Sequence, residues 1–278
     1  DAAKDAGIEP PPLALAAVAA RGPAVATRAI GLTDIGVSPA RRCMALPGAA
    51  AARCVGQAAS LPLLSSTADI DGEALMKLYY SPGASSLAPH IALREAGLRF
   101  ELERVSLKSK KTAGDADFLR INPKGYVPAL QFEDGTVLTE GPAIMLWVGD
   151  QVPEKRLAPA PGTMERYHLI EWLNFIATEL HKNFGALFDP TAPDAAKAAA
   201  RAKLEKRLDY LDKALGDAPF VLGEHFTVAD AYLFTVLGWG RFVDVDLTRW
   251  PHLAAYAGRI GVRPKVIDTL KAEGLLKG

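Results

Sequence analysis

This 278-residue sequence predicts a mixed α/β domain followed by an all-helical domain, both preceded by an extension that lacks the residues for a core. Three observations lead to that reading. The aromatic residues, 4 Trp, 7 Tyr and 10 Phe, all lie between Tyr79 and Tyr256, so the material for a packed core begins near residue 76. From Met76 to about residue 153, strand-like and helix-like patterns alternate, as in a mixed sheet with crossover helices. Beyond the linker "VPEKRLAPAPG" only helical spacing remains. The expected division is an extension at 1–75, the α/β domain at 76–153 and the helical domain at 163–278.

The extension has 21 alanines, broken by "EPPPL", "RGP", "SPARR" and "LPG", a composition expected to stay disordered. Between Pro10 and Ala68 its one acidic residue is Asp34, against Arg21, Arg28, Arg41, Arg42 and Arg53, which gives it the basic, Ala-rich character of a transit peptide. The other reading is sequence upstream of a natural start at Met76, in "GEALMKLYY". Function is expected in residues 76–278 under either.

In the α/β domain "KLYY" is strand-like, and "SLAPHIALREAG" is helical with Gly97 as its stop. "FELERV" alternates with period two, and "DADFLRI" is a short helix ended by Asn122-Pro123. "PALQF" and "VLTE" are strands joined by Asp134-Gly135, read as a two-residue hairpin with φ > 0 at both turn positions. "GPAIMLWVGDQV" is a third helix, with Gly141 as N-cap and Pro142 at the first helical position, where its missing N–H costs nothing. The order is β-α-β-α-β-β-α. Helical patterns then run over 163–188, 194–216, 227–240 and 251–273. The first carries Leu169, Trp172, Leu173, Ile176 and Leu180 on one side, and Asn174, Thr178 and His181 on the other. Thr227 and Asp230 have the spacing that caps a helix start.

Composition excludes several functions. The 32 basic and 32 acidic residues cancel, without the basic footprint that nucleic acid or an anionic membrane would need. No run reaches the ~18 apolar residues of a membrane span, so a soluble chain is expected. Both cysteines, Cys43 and Cys54, fall in the extension, which leaves the domains without a CxxC centre, thiolate metal site or disulfide framework. The five histidines lack metal-ligand spacing, and no metal is expected.

"MKLYYSPGASSLAPHIALREAG", "NPKGYVPAL", "DGTVLTEGPAI", "IEWLNFIATELHK" and "FTVADAYLF", in that order, resemble a beta-class glutathione transferase across residues 76 to about 275. The resemblance implies a thioredoxin-like glutathione-binding domain, a helical domain lining an acceptor pocket, a homodimer and a cytoplasmic location, organellar if the extension is a transit peptide. Glutathione is then the co-substrate. By resemblance Val127-Pro128 is a cis-proline site that pairs with the cysteinyl backbone of glutathione like an added strand. Glu140 faces the γ-glutamyl ammonium, while N–H groups at the helix start receive its carboxylate. Many relatives have serine where this chain has Gly141, so affinity is expected to be lower. Lys110 is matched to the glycyl carboxylate, with Lys108 and Lys111 close enough to exchange roles with it. Asn174, Thr178 and His181 look toward the glutathione cleft, the histidine near the sulfur.

At Ser85 the class usually has cysteine, in "PGACS"; here the stretch reads "PGASS". A serine hydroxyl forms no mixed disulfide, but it can donate to a thiolate held at a helix N-terminus. Ser85 or Ser86 is expected to do so. The function implied is conjugation of glutathione to small, largely apolar electrophiles. The alternatives are a glutathione- or hydrophobic-ligand-binding protein with little turnover and an interaction protein on a borrowed fold.

Overall fold

The structure, a computed structural model, describes residues 76–276. The expectations for residues 1–75 lie outside the described residues.

Strand β1 (Met76–Tyr80) is the centre of a five-stranded sheet. It runs parallel to β2 (Glu101–Ser106), with Leu78 opposite Leu102, and antiparallel to β4 (Ala129–Phe132), with Leu78 opposite Leu130. Leu78 is fully buried, as a central strand's apolar residues must be when both sheet faces are covered. Two edges complete the order β3-β2-β1-β4-β5: β3 (Lys111–Thr112), antiparallel to β2, and β5 (Val137–Thr139), antiparallel to β4. Two residues are too few to print a period-two signal, which is why the sequence did not predict β3.

The β4–β5 turn corrects the hairpin expectation. Phe132 and Thr136 pair across a three-residue loop, Gly135 N–H donates to Phe132 O at 3.0 Å, and of the two turn residues Gly135 alone has positive φ, 82°. Asp134 is not in the positive-φ region, and its carboxylate accepts the Thr136 N–H at 2.8 Å and closes the turn locally.

Helix α1 (Leu87–Ala96) covers the sheet with Ile91, Ala92 and Leu93 fully buried, and Gly97, at φ 71°, ends it. Helix α2 (Gly141–Gln151) corrects the cap: Gly141 is its first residue, and Glu140 holds the N-cap position at φ 71°. Arg166, in α3 (Met164–Phe175), ties α3 to α2 through a two-pronged pair with Asp150 at 2.8 and 2.9 Å.

The chain continues without a break from α3 through a π-helical stretch (Ile176–His181) into α4 (Lys182–Phe188). Next come α5 (Asp194–Leu215) and α6 (Val228–Leu237). The expected 251–273 helix is two, α7 (Pro251–Gly261) and α8 (Pro264–Ala272), because Pro264 drives Arg263 out of the helical region to φ −65°, ψ 133°. Helix α1 packs on α2, α6 and α8, so one apolar core runs from the sheet into the helices.

Ahead of α6, the capping expectation holds. The Asp230 carboxylate, wholly buried, accepts Thr227 N–H at 2.7 Å, Val221 N–H at 2.8 Å, the Tyr256 hydroxyl at 2.9 Å and the Thr227 hydroxyl at 3.1 Å. Burial pushes this carboxyl up to about 6, against the pull of those donors toward the charged form. No helix among the described residues is long and apolar enough to cross a membrane.

Candidate active site

The turn between β1 and α1 places Ser85. Ala84 N–H closes on Ser81 O at 3.0 Å, and the Ser86 hydroxyl accepts Ser81 N–H at 3.1 Å while donating to Ser81 O at 3.2 Å. Ser86 is thereby buried inside the turn and does not line the cleft, which removes it as a thiolate donor. Ser85, one residue earlier and on another side of the forming helix, stays half-buried on the cleft wall and donates to Val127 O at 3.2 Å. The Val127-Pro128 bond is cis, as expected, and both residues line the same wall.

Gly83 fixes this turn from the far side. Its N–H donates to Glu273 Oε2 and its carbonyl accepts Trp239 Nε1, each at 2.8 Å. Arg94 Nε donates to His90 Nε2 at 3.0 Å, so His90 carries its proton on Nδ1 and donates it to Glu273 Oε1 at 2.8 Å. Both His90 and Glu273 side chains are sealed from solvent.

The cleft encloses about 700 Å³. One wall is the Pro82–Ser85 turn, Val127-Pro128 and the α2 start at Glu140 and Gly141; the other carries Asn174, His181, Phe188, Tyr232, Trp239 and Phe242. At the α2 start Lys124 Nζ lies 2.7 Å and the Tyr126 hydroxyl 3.3 Å from Glu140 Oε1. The lysine first, and the tyrosine after it, hold this carboxyl below its ordinary range.

On the helical wall His181 Nδ1 lies 2.8 Å from the Tyr232 hydroxyl, and its ring meets Trp239 edge-on at 4.7 Å. Burial, with the Lys182 charge adding to it, pushes His181 down to about 4, so the ring is neutral near pH 7. Burial also raises the Tyr232 phenol, which keeps its proton and can donate it to Nδ1, leaving Nε2 as the N–H.

Two expected residues lie elsewhere. Thr178 is exposed and off the cleft, its hydroxyl donating back to Asn174 O at 3.0 Å, because the π-helical turn changes the angular spacing on which the Asn174, Thr178, His181 face was drawn. Asn174 and His181 remain on the wall. Lys110, at φ 57°, also does not line the cleft: its Nζ donates to Gly125 O at 2.7 Å and braces the loop leading to Tyr126. The sequence reading missed Lys124, Tyr126, Tyr232 and Trp239; the first three stand inside the quoted motifs "NPKGYVPAL" and "FTVADAYLF", but a pattern of residue types does not say which side chains turn inward.

A hydroxyl and a carboxylate at two helix starts, facing a neutral imidazole among aromatic rings, suit a ligand with a charged peptide-like part and an apolar part. The comparisons say which family has such a fold and site. Residues 84–151 match the glutathione S-transferase N-terminal domain model, and 194–259 the C-terminal one. The glutathione S-transferase GstA of Escherichia coli O157:H7 is 51% identical over 200 residues, covering 72% of this chain and all of that protein. A beta-class glutathione S-transferase structure from Sphingomonas chungbukensis, 50% identical, superimposes with TM-score 0.70 over 72% of this chain and 100% of its own. A sphingomonad glutathione S-transferase complexed with glutathione gives TM-score 0.70 and 50% identity over 72% and 99%. The chain belongs to the beta class of the glutathione S-transferase family.

Proposed function

We propose that this transferase binds glutathione in the cleft, ionises its thiol with the Ser85 hydroxyl and adds the thiolate to small, largely apolar electrophiles held against the aromatic wall. What carries the proposal is Ser85, half-buried on the cleft wall at the start of α1, 3.2 Å from the carbonyl of Val127. Its one O–H, which donates to Val127 O, turns to the sulfur; a donor there stabilises the charged form, aided by the positive end of the helix dipole, and the thiolate is the nucleophile. Glu140 takes the γ-glutamyl ammonium, the N–H groups at Gly141 take the carboxylate beside it, and Val127 pairs with the cysteinyl backbone. Asn174 and His181 border the sulfur from the helical wall. Lys110 joins this set only by leaving the Gly125 carbonyl, 2.7 Å away.

The same reading has a glutathione domain at 76–153, a helical acceptor domain at 163–278, a homodimer, no metal and a cytoplasmic, detoxifying role. Steady-state conjugation of glutathione to a chlorodinitrobenzene-type acceptor, run beside calorimetric binding of glutathione, tests it. Turnover with binding is expected. Binding without turnover would favour a ligand-holding protein, the reading that serine in the cysteine position keeps open.

A further inference from the structure

The Glu140 carboxylate is 53% exposed, and a glutamate so placed is free to turn unless something holds it. Two groups do, and both hold the same oxygen: Lys124 Nζ at 2.7 Å and the Tyr126 hydroxyl at 3.3 Å from Oε1. Among the described residues Oε2 takes no hydrogen bond. Lys124 is itself anchored, since Nζ also donates to Thr139 Oγ1 at 2.9 Å and its N–H donates to Asn122 Oδ1 at 3.1 Å. Asn122 Nδ2 then fixes the Tyr126 carbonyl at 2.7 Å, which makes Asn122–Tyr126 and Thr139 one frame around the carboxylate.

We infer that Lys124 is a positioning residue for glutathione: by occupying Oε1 it fixes Glu140 with Oε2 left for the γ-glutamyl ammonium. The inference rests on the proposed role of Glu140. A cation this close to an incoming ammonium could instead be a competitor, and the two roles have opposite signs. As a competitor, Lys124 weakens binding and its removal tightens it. As a positioning group, it meets the cost of ordering a long side chain before the ligand arrives, and its removal weakens binding. The half-exposed pair and the second anchor on Thr139 favour the latter, because water screens the repulsion while the hydrogen bonds keep their geometry.

The test uses the whole chain, glutathione, and an analogue in which the γ-glutamyl amino group is replaced by hydrogen. Lys124→Met should raise KM and Kd for glutathione by about threefold to fivefold, the range of an exposed ion pair, with kcat unchanged. Lys124→Arg should recover most of that loss, and the des-amino analogue should bind the parent and Lys124→Met alike. Tighter or unchanged glutathione binding in Lys124→Met, while Glu140→Gln weakens it, would overturn the inference and leave the role of Glu140 standing. No effect of Glu140→Gln would overturn both.

Discussion

The helix starts of α1, α2 and α6 each carry a polar side chain, and the three divide by what surrounds it. Those of α1 and α2 open onto the cleft, where Ser85 is half-buried with one hydrogen bond and Glu140 meets solvent with one oxygen engaged. At the start of α6 the Asp230 carboxylate is wholly enclosed and receives four donors. The position is chemically the same, since each helix start offers unpaired N–H groups and a positive dipole end. Capacity left over at Glu140, and a single bond that the half-buried Ser85 can exchange, make the difference. A saturated, buried carboxylate can only hold the fold together, whereas a partly engaged one can still accept a ligand.

The largest effect should come from breaking the sealed start. Asp230→Ala leaves two buried N–H groups and the Thr227 hydroxyl without an acceptor, each costing ~1–3 kcal/mol, and the Tyr256 hydroxyl with only the residue-230 carbonyl at 3.4 Å, so stability should fall by on the order of 3 kcal/mol or more and the melting temperature by about 10 °C. A melting temperature near that of the parent would show that water or the Thr227 side chain takes over the cap.

His181 supplies a pH test on the cleft side. An unfolded chain protonates this ring near its ordinary value of about 6.5, the folded one only near 4, so the unfolded state takes up the proton first as pH falls. Stability present above pH 6.5 should be lost between about 6.5 and 4, by up to about 3 kcal/mol. Melting curves across that window should show the parent losing stability relative to His181→Phe as pH falls; a separation that does not change with pH would mean that the folded and unfolded chains protonate His181 alike.

At the open start Glu140→Gln should cost about 1.5–3 kcal/mol of glutathione binding by calorimetry. Its melting temperature should move by less than about 4 °C, since an exposed pair contributes ~0–1 kcal/mol. A large melting shift without a binding shift would place Glu140 with Asp230 and erase the distinction.

Much of this was legible in the sequence. Apart from the two-residue β3 and the shrinking of the "DADFLRI" helix to a single 3-10 turn at Phe118–Arg120, the order of elements, the Gly97 stop and the Thr227/Asp230 cap follow from local patterns that packing did not override. The parts that were not legible depend on angles and partners. Whether Ser85 or Ser86 faces the cleft is decided by the Ser81–Ser86 turn, whether Thr178 does by a π-helical turn, and where Lys110 points by a carbonyl fifteen residues away. Lys124 stood in a quoted motif, yet a lysine's spacing from a glutamate sixteen residues on says nothing until a strand pair brings the two together.

Adjacent hydroxyls with separate fates give the most direct test of the mechanism. Titrating the ultraviolet absorbance of bound thiolate in the parent, Ser85→Ala and Ser86→Ala reads the ionisation itself. Ser85→Ala should raise the pKa of enzyme-bound glutathione by about one unit, worth ~1.4 kcal/mol, and lower kcat/KM at neutral pH about tenfold with little change in binding. Ser86→Ala should leave that pKa where the parent has it and reduce stability instead, because its hydroxyl is tied to both polar backbone atoms of Ser81 inside the turn. An unshifted bound-thiol pKa in Ser85→Ala, or a shift in Ser86→Ala alone, would contradict the account.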